Sequence, residues 1–180
     1  TSMAVNEERT ADGHILAAHN EDWIPEDEND TFVISAKPDK EPPFLAMTYG
    51  GLLPNVGFNA YGISQLIDSV YPSDSRVGIP RLVVARAVLS SHRISGAIGR
   101  TLVQHRAAGY NHLLVHESGE IYSIEVSARK FEILYAHDGY MVHTNHYLDS
   151  QMKKIEKDPE ELLSSRVRYF RASRLLHQNK

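Results

Sequence analysis

The residue best suited to nucleophilic chemistry in this 180-residue chain is its first one. Thr1 carries a hydroxyl beside an α-amine, and an α-amine titrates near pH ~8, so part of it is a free base at neutral pH. Such an amine can take the proton of a nucleophile on the same residue. Chain termini are also commonly loose, so the alternative is an end without function.

An acidic segment, His19-Asn20-Glu21-Asp22-Trp23, lies where the chain is expected to return to Thr1. The tight-turn pair Asp12-Gly13 predicts a hairpin whose second strand, residues 15–19, runs back beside the first. That return places Asp22 near the α-amine, where its charge could hold the amine and tune its pKa. The other interpretation is a polar strand end closed by an Asx turn.

A third group of polar residues, His143-Thr144-Asn145-His146, ends a predicted strand over 140–144. Two histidines three apart suggest a metal site, but in a strand such residues point to opposite faces, and no acidic cluster accompanies them. Asn145 is better suited to donate an amide N–H to an oxyanion. The pair His112 and His116 shares a strand face but lacks a third ligand. We therefore predict neither a metal ion nor another cofactor.

Composition limits the classes of protein that these residues can belong to. With 42% hydrophobic and 23% charged residues, the chain is typical of a globular protein, and we predict a single domain over residues 1–180. The net charge of −4 argues against nucleic acid as a partner, and no run approaches the ~18 apolar residues of a membrane span. The chain has no Cys, so disulfides and thiolate metal sites are excluded within it.

The elements that must position the candidate residues follow a segregated order. Alternating segments and turn pairs predict a β-meander through residue 70, two helices within 80–103, and then two hairpins within 110–144. A last helix over 158–176 carries a rough apolar stripe that we expect to pack on a sheet, formed by Leu162, Val167, Phe170 and Leu175. This order predicts an α+β fold with largely antiparallel sheets.

Five segments in order along nearly the whole chain resemble the mature subunit of the penicillin acyltransferase (isopenicillin N acyltransferase-like) family. They are Thr1-Ser2 with Asp12-Gly13 and Asn20-Glu21-Asp22-Trp23, Gly57-Phe58-Asn59-Ala60-Tyr61-Gly62-Ile63, Tyr110-Asn111-His112-Leu113-Leu114 with Gly119 and Ile124-Glu125, His143-Thr144-Asn145-His146, and Ser164-Ser165 with Arg168-Tyr169 and Arg171-Ala172. That family is similar to choloylglycine hydrolases and belongs to the N-terminal nucleophile (Ntn) hydrolases.

The resemblance implies a four-layer αββα fold, an autocatalytic cleavage that exposes the nucleophile, and acyl transfer from amide or thioester substrates. It also implies roles for three residues. Asp22 would orient the α-amine and the nucleophile, Asn145 would help to bind the oxyanion, and Arg168 would support the surroundings of the nucleophile from the last helix.

Further site residues follow from the same resemblance. The family's second polar oxyanion residue falls near Asp68 or Ser69, where we expect Asn. Asp68 is also a candidate for substrate binding, together with Asn59 in the glycine-flanked turn and Trp23 beside the acidic segment.

The first residues depart from the family pattern, in which the nucleophile is usually Cys followed by Thr and then Ser or Thr. Either Thr1 is the nucleophile, or the nucleophile is a Cys directly before Thr1. The short chain also leads us to expect that later strands are missing at the C-terminal end.

We therefore expect an amidohydrolase or acyltransferase that forms an acyl-enzyme. The alternatives are a binding protein that kept the fold without the nucleophile, and a histidine-based metalloprotein. The expected partner is a small acyl amide or acyl thioester. A cleaved N-terminal propeptide and a second copy of the chain are further candidates, and nucleic acid and membrane are not. No signal-like segment precedes Thr1, which favours the cytoplasm.

Overall fold

Ten strands and three α-helices make up residues 1–178, the part of the chain that the computed structural model describes. The strands are β1 Ser2–Val5, β2 Leu16–His19, β3 Thr31–Ala36, β4 Phe44–Tyr49, β5 Val56–Asn59, β6 Ile63–Asp68, β7 Tyr110–His116, β8 Ile121–Val126, β9 Phe131–Tyr135 and β10 Tyr140–His143. The helices are α1 Arg81–Leu89, α2 Ile94–Thr101 and α3 Leu163–Gln178.

The strands form two antiparallel sheets, as the sequence predicted. A three-stranded sheet has the order β10-β1-β2, and a seven-stranded sheet runs from β3 to β9 in chain order. The expected opening hairpin is present, with Ser2 opposite His19, and β10 pairs with the other edge of β1, with Ser2 opposite His143. The predicted meander is wrong in one respect, because the opening hairpin pairs with β10 and does not continue into β3.

Side-chain alternation along the strands produces four layers. On β6, Ile63 and Ile67 pack against α1 and α2, whereas Leu66 packs against β1 and β10 of the other sheet. The helix α3 covers the far side of the three-stranded sheet and packs on β10. The layers are therefore helices, seven-stranded sheet, three-stranded sheet and helix, which confirms the αββα arrangement that the resemblance implied.

The last helix differs from its predicted form. A 3-10 turn over Pro159–Leu162 precedes α3, and only Leu162 of the expected apolar stripe is buried, while Val167 is 58% and Phe170 67% exposed. The face of α3 that packs inward is polar and carries Ser165 and Arg168. The helix packs in this way because the strand end beneath it also presents polar groups.

Two smaller findings complete the fold. The helix α2 begins at Ile94, with Arg93 in the capping position and Ser95 inside the helix. Within residues 1–178, no helix has the length and apolar character needed to cross a membrane.

Candidate active site

Three neighbouring strands of the seven-stranded sheet place buried polar side chains in one row. The pairing register sets Asp68 opposite Asn111, and Asn111 opposite Glu125. Nδ2 of Asn111 donates to Oδ2 of Asp68 at 3.2 Å, and Oγ of Ser123 donates to Oδ1 of Asn111 at 2.8 Å. These residues alternate with the side chains that pack on α1 and α2, so the row faces the three-stranded sheet.

His143 at the end of β10 lies over this row and is fully buried. Its Nε2 is 2.8 Å from Oε1 of Glu125, and its Nδ1 is 3.5 Å from Oδ2 of Asp68, an ion-pair distance. Burial alone would lower the pKa of His143, but the two carboxylates outweigh burial and raise it to about 9. The ring is therefore an imidazolium at neutral pH.

The nitrogen of Thr1 reaches the same row from β1. It lies 3.1 Å from Oδ1 of Asp68 and donates to the backbone oxygen of Asn20 at 3.2 Å. Burial by itself would raise the pKa of Asp68, yet His143 and the positive amine lower it below its usual value. Asp68 is thus a buried, ionised carboxylate shared between the amine and the imidazolium.

The helix α3 holds the site from the opposite side through Arg168. Its Nη1 donates to Oγ1 of Thr1, and its Nη2 donates to Oδ1 of Asn145 at 2.9 Å. Because the guanidinium binds the amide oxygen, Nδ2 of Asn145 points the other way and donates to the backbone oxygen of Ser69 at 3.1 Å. The backbone N–H of Asn145 is held by Oγ of Ser165 at 2.8 Å.

These groups border a cavity of about 180 Å³. Its lining includes Thr1, Asp22, Trp23, Asp68, Arg81 and Asn145. His19 also faces the cavity, with Nε2 2.6 Å from a carboxylate oxygen of Glu21 and Nδ1 3.0 Å from Oγ of Ser2. A hydroxyl and a nitrogen at the N-terminal end of β1, an amide and several titratable side chains thus share one small space.

The structure brings most of the residues named from the sequence to this cavity. Thr1, Asp68, Asn145 and Arg168 are bonded to one another as described, and Trp23 stands at the rim, 51% exposed. The carboxylate at the amine is Asp68, not Asp22, which corrects the expected contact. The amine is already held by Asn20 at the end of the hairpin, and Asp22 lies two residues further on, exposed at the rim.

Asn59 is not brought to this cavity. Its Nδ2 donates to the backbone oxygens of Leu89 and Ser91 at 3.0 and 2.8 Å, and its Oδ1 accepts the N–H groups of Tyr61 and Ile63. The side chain is 4% exposed and closes the β5–β6 turn against the end of α1. All hydrogen bonds of its amide are thus made to backbone groups, and Asn59 has a structural role in this turn.

Sequence reasoning missed the charged pair His143 and Glu125. The histidine drew attention only as a metal candidate, and among residues 1–178 no three His, Asp or Glu side chains are arranged to hold a metal ion. A usable signal was present, because Asp68 directly follows Leu66 and Ile67, and Glu125 lies between Ile124 and Val126. An acidic residue in such a segment requires a buried partner.

A family model matches residues 8–180 of the chain, and its description is acyl-coenzyme A:6-aminopenicillanic acid acyl-transferase. The match covers the strands and helices that build the cavity, apart from β1.

Solved structures share the fold at low sequence identity. A Caenorhabditis elegans ortholog of N-acylethanolamine-hydrolyzing acid amidase superposes with a TM-score of 0.64 at 12% identity, over 87% of this chain and 73% of that one. Penicillin V acylase from Agrobacterium tumefaciens superposes with a TM-score of 0.58 at 17% identity, over 84% of this chain and 54% of that one. A variant of conjugated bile acid hydrolase from Clostridium perfringens superposes with a TM-score of 0.63 at 14% identity, over 84% of this chain and 55% of that one. The chain thus spans little more than half the length of the latter two.

Proposed function

The chain belongs to the acyl-coenzyme A:6-aminopenicillanic acid acyl-transferase family, and we propose that it cleaves amides or thioesters through an acyl-enzyme formed at the N-terminal end of β1. The observation that carries this proposal is the convergence of the Thr1 nitrogen, ionised Asp68 and the Asn145 amide on one cavity. The similar structures of an amidase, an acylase and a hydrolase agree with this class of reaction.

Two nucleophiles fit the position. The first is the hydroxyl of Thr1, which passes its proton to the free-base amine as oxygen bonds to the substrate carbonyl. The second is the thiol of a Cys joined to the Thr1 nitrogen. Side chains alternate along a strand, so that Cys would lie on the face of Ser2, between the sheets, whereas the Thr1 hydroxyl is bound by Arg168 on the α3 side.

Asn145 supplies the donor for the oxyanion. One N–H of its amide donates to Ser69, and the amide has a second N–H that can donate to an oxygen in the cavity. Arg168 fixes the direction of this amide before substrate binds, which is the condition for strong stabilisation of a transient charge. Collapse of the intermediate transfers the proton to the leaving amine, or releases a thiolate, and water or an acceptor amine then removes the acyl group.

The remaining site residues have supporting roles in this proposal. Asp22 and Trp23 stand at the cavity rim and are placed to contact substrate. Asp68 holds the Thr1 nitrogen from below. We also include in the proposal a cleaved N-terminal propeptide and self-association of the chain.

Two measurements on the purified natural protein test the proposal. Intact mass identifies the N-terminal residue as Thr or Cys, and an assay follows release of acid from N-acyl amides and acyl thioesters. We expect turnover in the wild-type protein and its loss when the identified N-terminal residue is changed to Ala. An uncleaved, extended N-terminus with no turnover on either substrate class would instead establish the binding-protein alternative.

A further inference from the structure

Beneath the cavity lies a line of four polar groups from the two sheets. The nitrogen of Thr1 is 3.1 Å from Asp68, Asp68 is 3.5 Å from His143, and His143 is 2.8 Å from Glu125. Asp68 and Glu125 belong to the seven-stranded sheet, while Thr1 and His143 come from the facing sheet. The reaction proposed above uses the first two groups and leaves His143 and Glu125 without a function.

We propose that His143 is a positioning residue that keeps Asp68 ionised, so that Asp68 can hold the nitrogen of Thr1 in the geometry for attack. This inference rests on the proposed function for its catalytic meaning. The electrostatic part, that the charge of Asp68 depends on His143, stands on the buried contacts alone.

Burial explains why Asp68 needs a second cation. Its side chain is shielded from water, and a buried carboxylate takes up a proton unless charge or hydrogen bonds stabilise the ionised form. Asn111 gives it one neutral hydrogen bond, and the Thr1 nitrogen is uncharged whenever it acts as a base, or when a Cys is joined to it. In both cases His143 is the cation that still faces Asp68.

Glu125 holds the imidazolium from its other side. Oε1 of Glu125 accepts the backbone N–H of Leu148 at 2.5 Å as well as the bond from His143, and Oε2 accepts the N–H of Asp149 at 3.1 Å. These bonds favour the ionised carboxylate. The ring of His143 is thus fixed between two carboxylates, and neither of its nitrogens is directed to solvent.

Asp68 from β6 and Glu125 from β8 are the groups that raise the pKa of His143. The other titratable or charged groups around it are His146 after β10 and, on the far side of Asp68, the nitrogen of Thr1 with Arg168 from α3. Burial and the nearby charges lower the pKa of His146 to about 4, so that ring stays neutral. The two carboxylates are therefore the nearest charges, and they favour the protonated ring.

The chain provides a matched control in His112. This second fully buried histidine lies on β7, but it faces α1, and its Nδ1 is 3.0 Å from the neutral amide of Gln65. The substitutions His143→Gln and His112→Gln therefore remove the same side chain from the same depth. Only the first removes a cation from Asp68.

The test is a carboxyl-carbon NMR titration of Asp68 in the wild-type protein and in both variants, together with the pH profile of turnover. We expect His143→Gln to raise the titration midpoint of Asp68 by ~1 pH unit or more, and to move the acidic limb of turnover in the same direction. His112→Gln should leave both where they are. An Asp68 midpoint that is unchanged in His143→Gln would overturn the inference.

The experiment distinguishes a failure of the proposed reaction from a failure of the electrostatic inference. A wild-type protein without turnover removes the proposed reaction, while the Asp68 titration still decides the electrostatic inference. If His143→Gln does not fold, ring nitrogen shifts of the wild-type protein decide it instead. A His143 ring that carries both protons at about pH 8 supports the inference, and a neutral His143 ring at that pH overturns it.

Discussion

The seven-stranded sheet buries polar side chains on both faces, and the two faces stabilise them by different means. On the face toward α1 and α2, His112 contacts Gln65, whose Nε2 donates to the backbone oxygens of Asn55 and Ala85. Burial, assisted by the positive charge of Arg106, lowers the pKa of His112 to about 3, so the ring is neutral. On the opposite face, His143 lies between two carboxylates and is charged.

Partner chemistry, and not depth of burial, determines the charge of a buried histidine in this fold. The neutral amide of Gln65 satisfies His112, and the bond from Gln65 to the backbone oxygen of Ala85 connects the sheet to α1. Carboxylates satisfy His143, and within residues 1–178 the buried carboxylates of this sheet, Asp68 and Glu125, lie on the face that the N-terminus of β1 reaches. The face toward the helices is thus built for stability, and the face toward β1 for charge.

The largest expected effects are at the two asparagines of the family-like motifs, Asn145 at the cavity and Asn59 in the β5–β6 turn, and they differ in kind. Asn145→Ala removes the proposed oxyanion donor and should lower turnover by ~100-fold or more, with little change in substrate affinity. Asn59→Ala leaves four backbone groups without their partner and should lower the free energy of unfolding by ~2 kcal/mol or more, with normal turnover per folded molecule. Steady-state kinetics and urea unfolding of both variants distinguish these outcomes.

Normal turnover in folded Asn145→Ala protein would remove Asn145 from the reaction. It would also weaken the division of the sheet into a structural and a catalytic face.

The second prediction concerns how stability depends on pH. His143 has its pKa raised, so its contribution to stability is full below the unfolded value of ~6.5 and is lost as pH rises through about 9. His112 has its pKa lowered, so stability is lost as pH falls from ~6.5 toward about 3, because the unfolded chain takes up the proton. Each slope approaches ~1.4 kcal/mol per pH unit at most.

Urea unfolding of His143→Gln and His112→Gln between pH 4 and 9 gives the readout. The destabilisation by His143→Gln should shrink at high pH, and that by His112→Gln should shrink at low pH. Parallel pH dependences for the two variants would show that the histidines do not differ in charge.

The third prediction compares two aspartates at different depths in the site. Asp68→Asn removes the buried charge at the Thr1 nitrogen, and we expect a fall in turnover of ~30- to 100-fold. Asp22→Asn changes an exposed rim residue, and we expect kcat/KM to fall by ~10-fold or less, mainly through a higher KM. A larger loss of kcat in Asp22→Asn than in Asp68→Asn would return the amine-orienting role to Asp22.

The smallest expected effect is at Arg168. Its partners are a hydroxyl and an amide oxygen, so its removal leaves no buried charge unpaired. Arg168→Ala should lower turnover by ~10-fold and stability by ~1 kcal/mol. Arg171→Ala, on the exposed side of the same helix, should stay within ~0.5 kcal/mol and keep full turnover. Equal behaviour of the two variants would exclude a positioning role for Arg168.

Much of the fold could be predicted because its local signals are strong. β1 to β6 end before residue 70 and β7 to β10 lie within 110–144, as predicted, and the turn Asp138-Gly139 before β10 has left-handed backbone at both residues, with φ values of 57° and 73°. Turn chemistry of this kind is readable from two residues.

The site was less predictable because its contacts join distant parts of the chain. The amine was assigned to Asp22 because the opening hairpin is a local feature, whereas Asp68 reaches it only after two sheets have stacked. Asn59 and Asn145 both occur in family-like motifs, and nothing near Asn59 in the sequence indicates the carbonyls of Leu89 and Ser91 that occupy its amide. The sequence located the polar residues, and the stacking of the sheets determines their partners.

The central claim is that the reactive group stands at the N-terminal end of β1, above the charged face of the sheet. The most direct measurement is to mix the natural protein with an activated acyl thioester, quench it within one turnover, and map the acyl group by peptide mass spectrometry. We expect one acyl group on the N-terminal peptide, at Thr1 or at a Cys directly before it. An acyl group on a different peptide, or turnover with no covalent adduct, would contradict it.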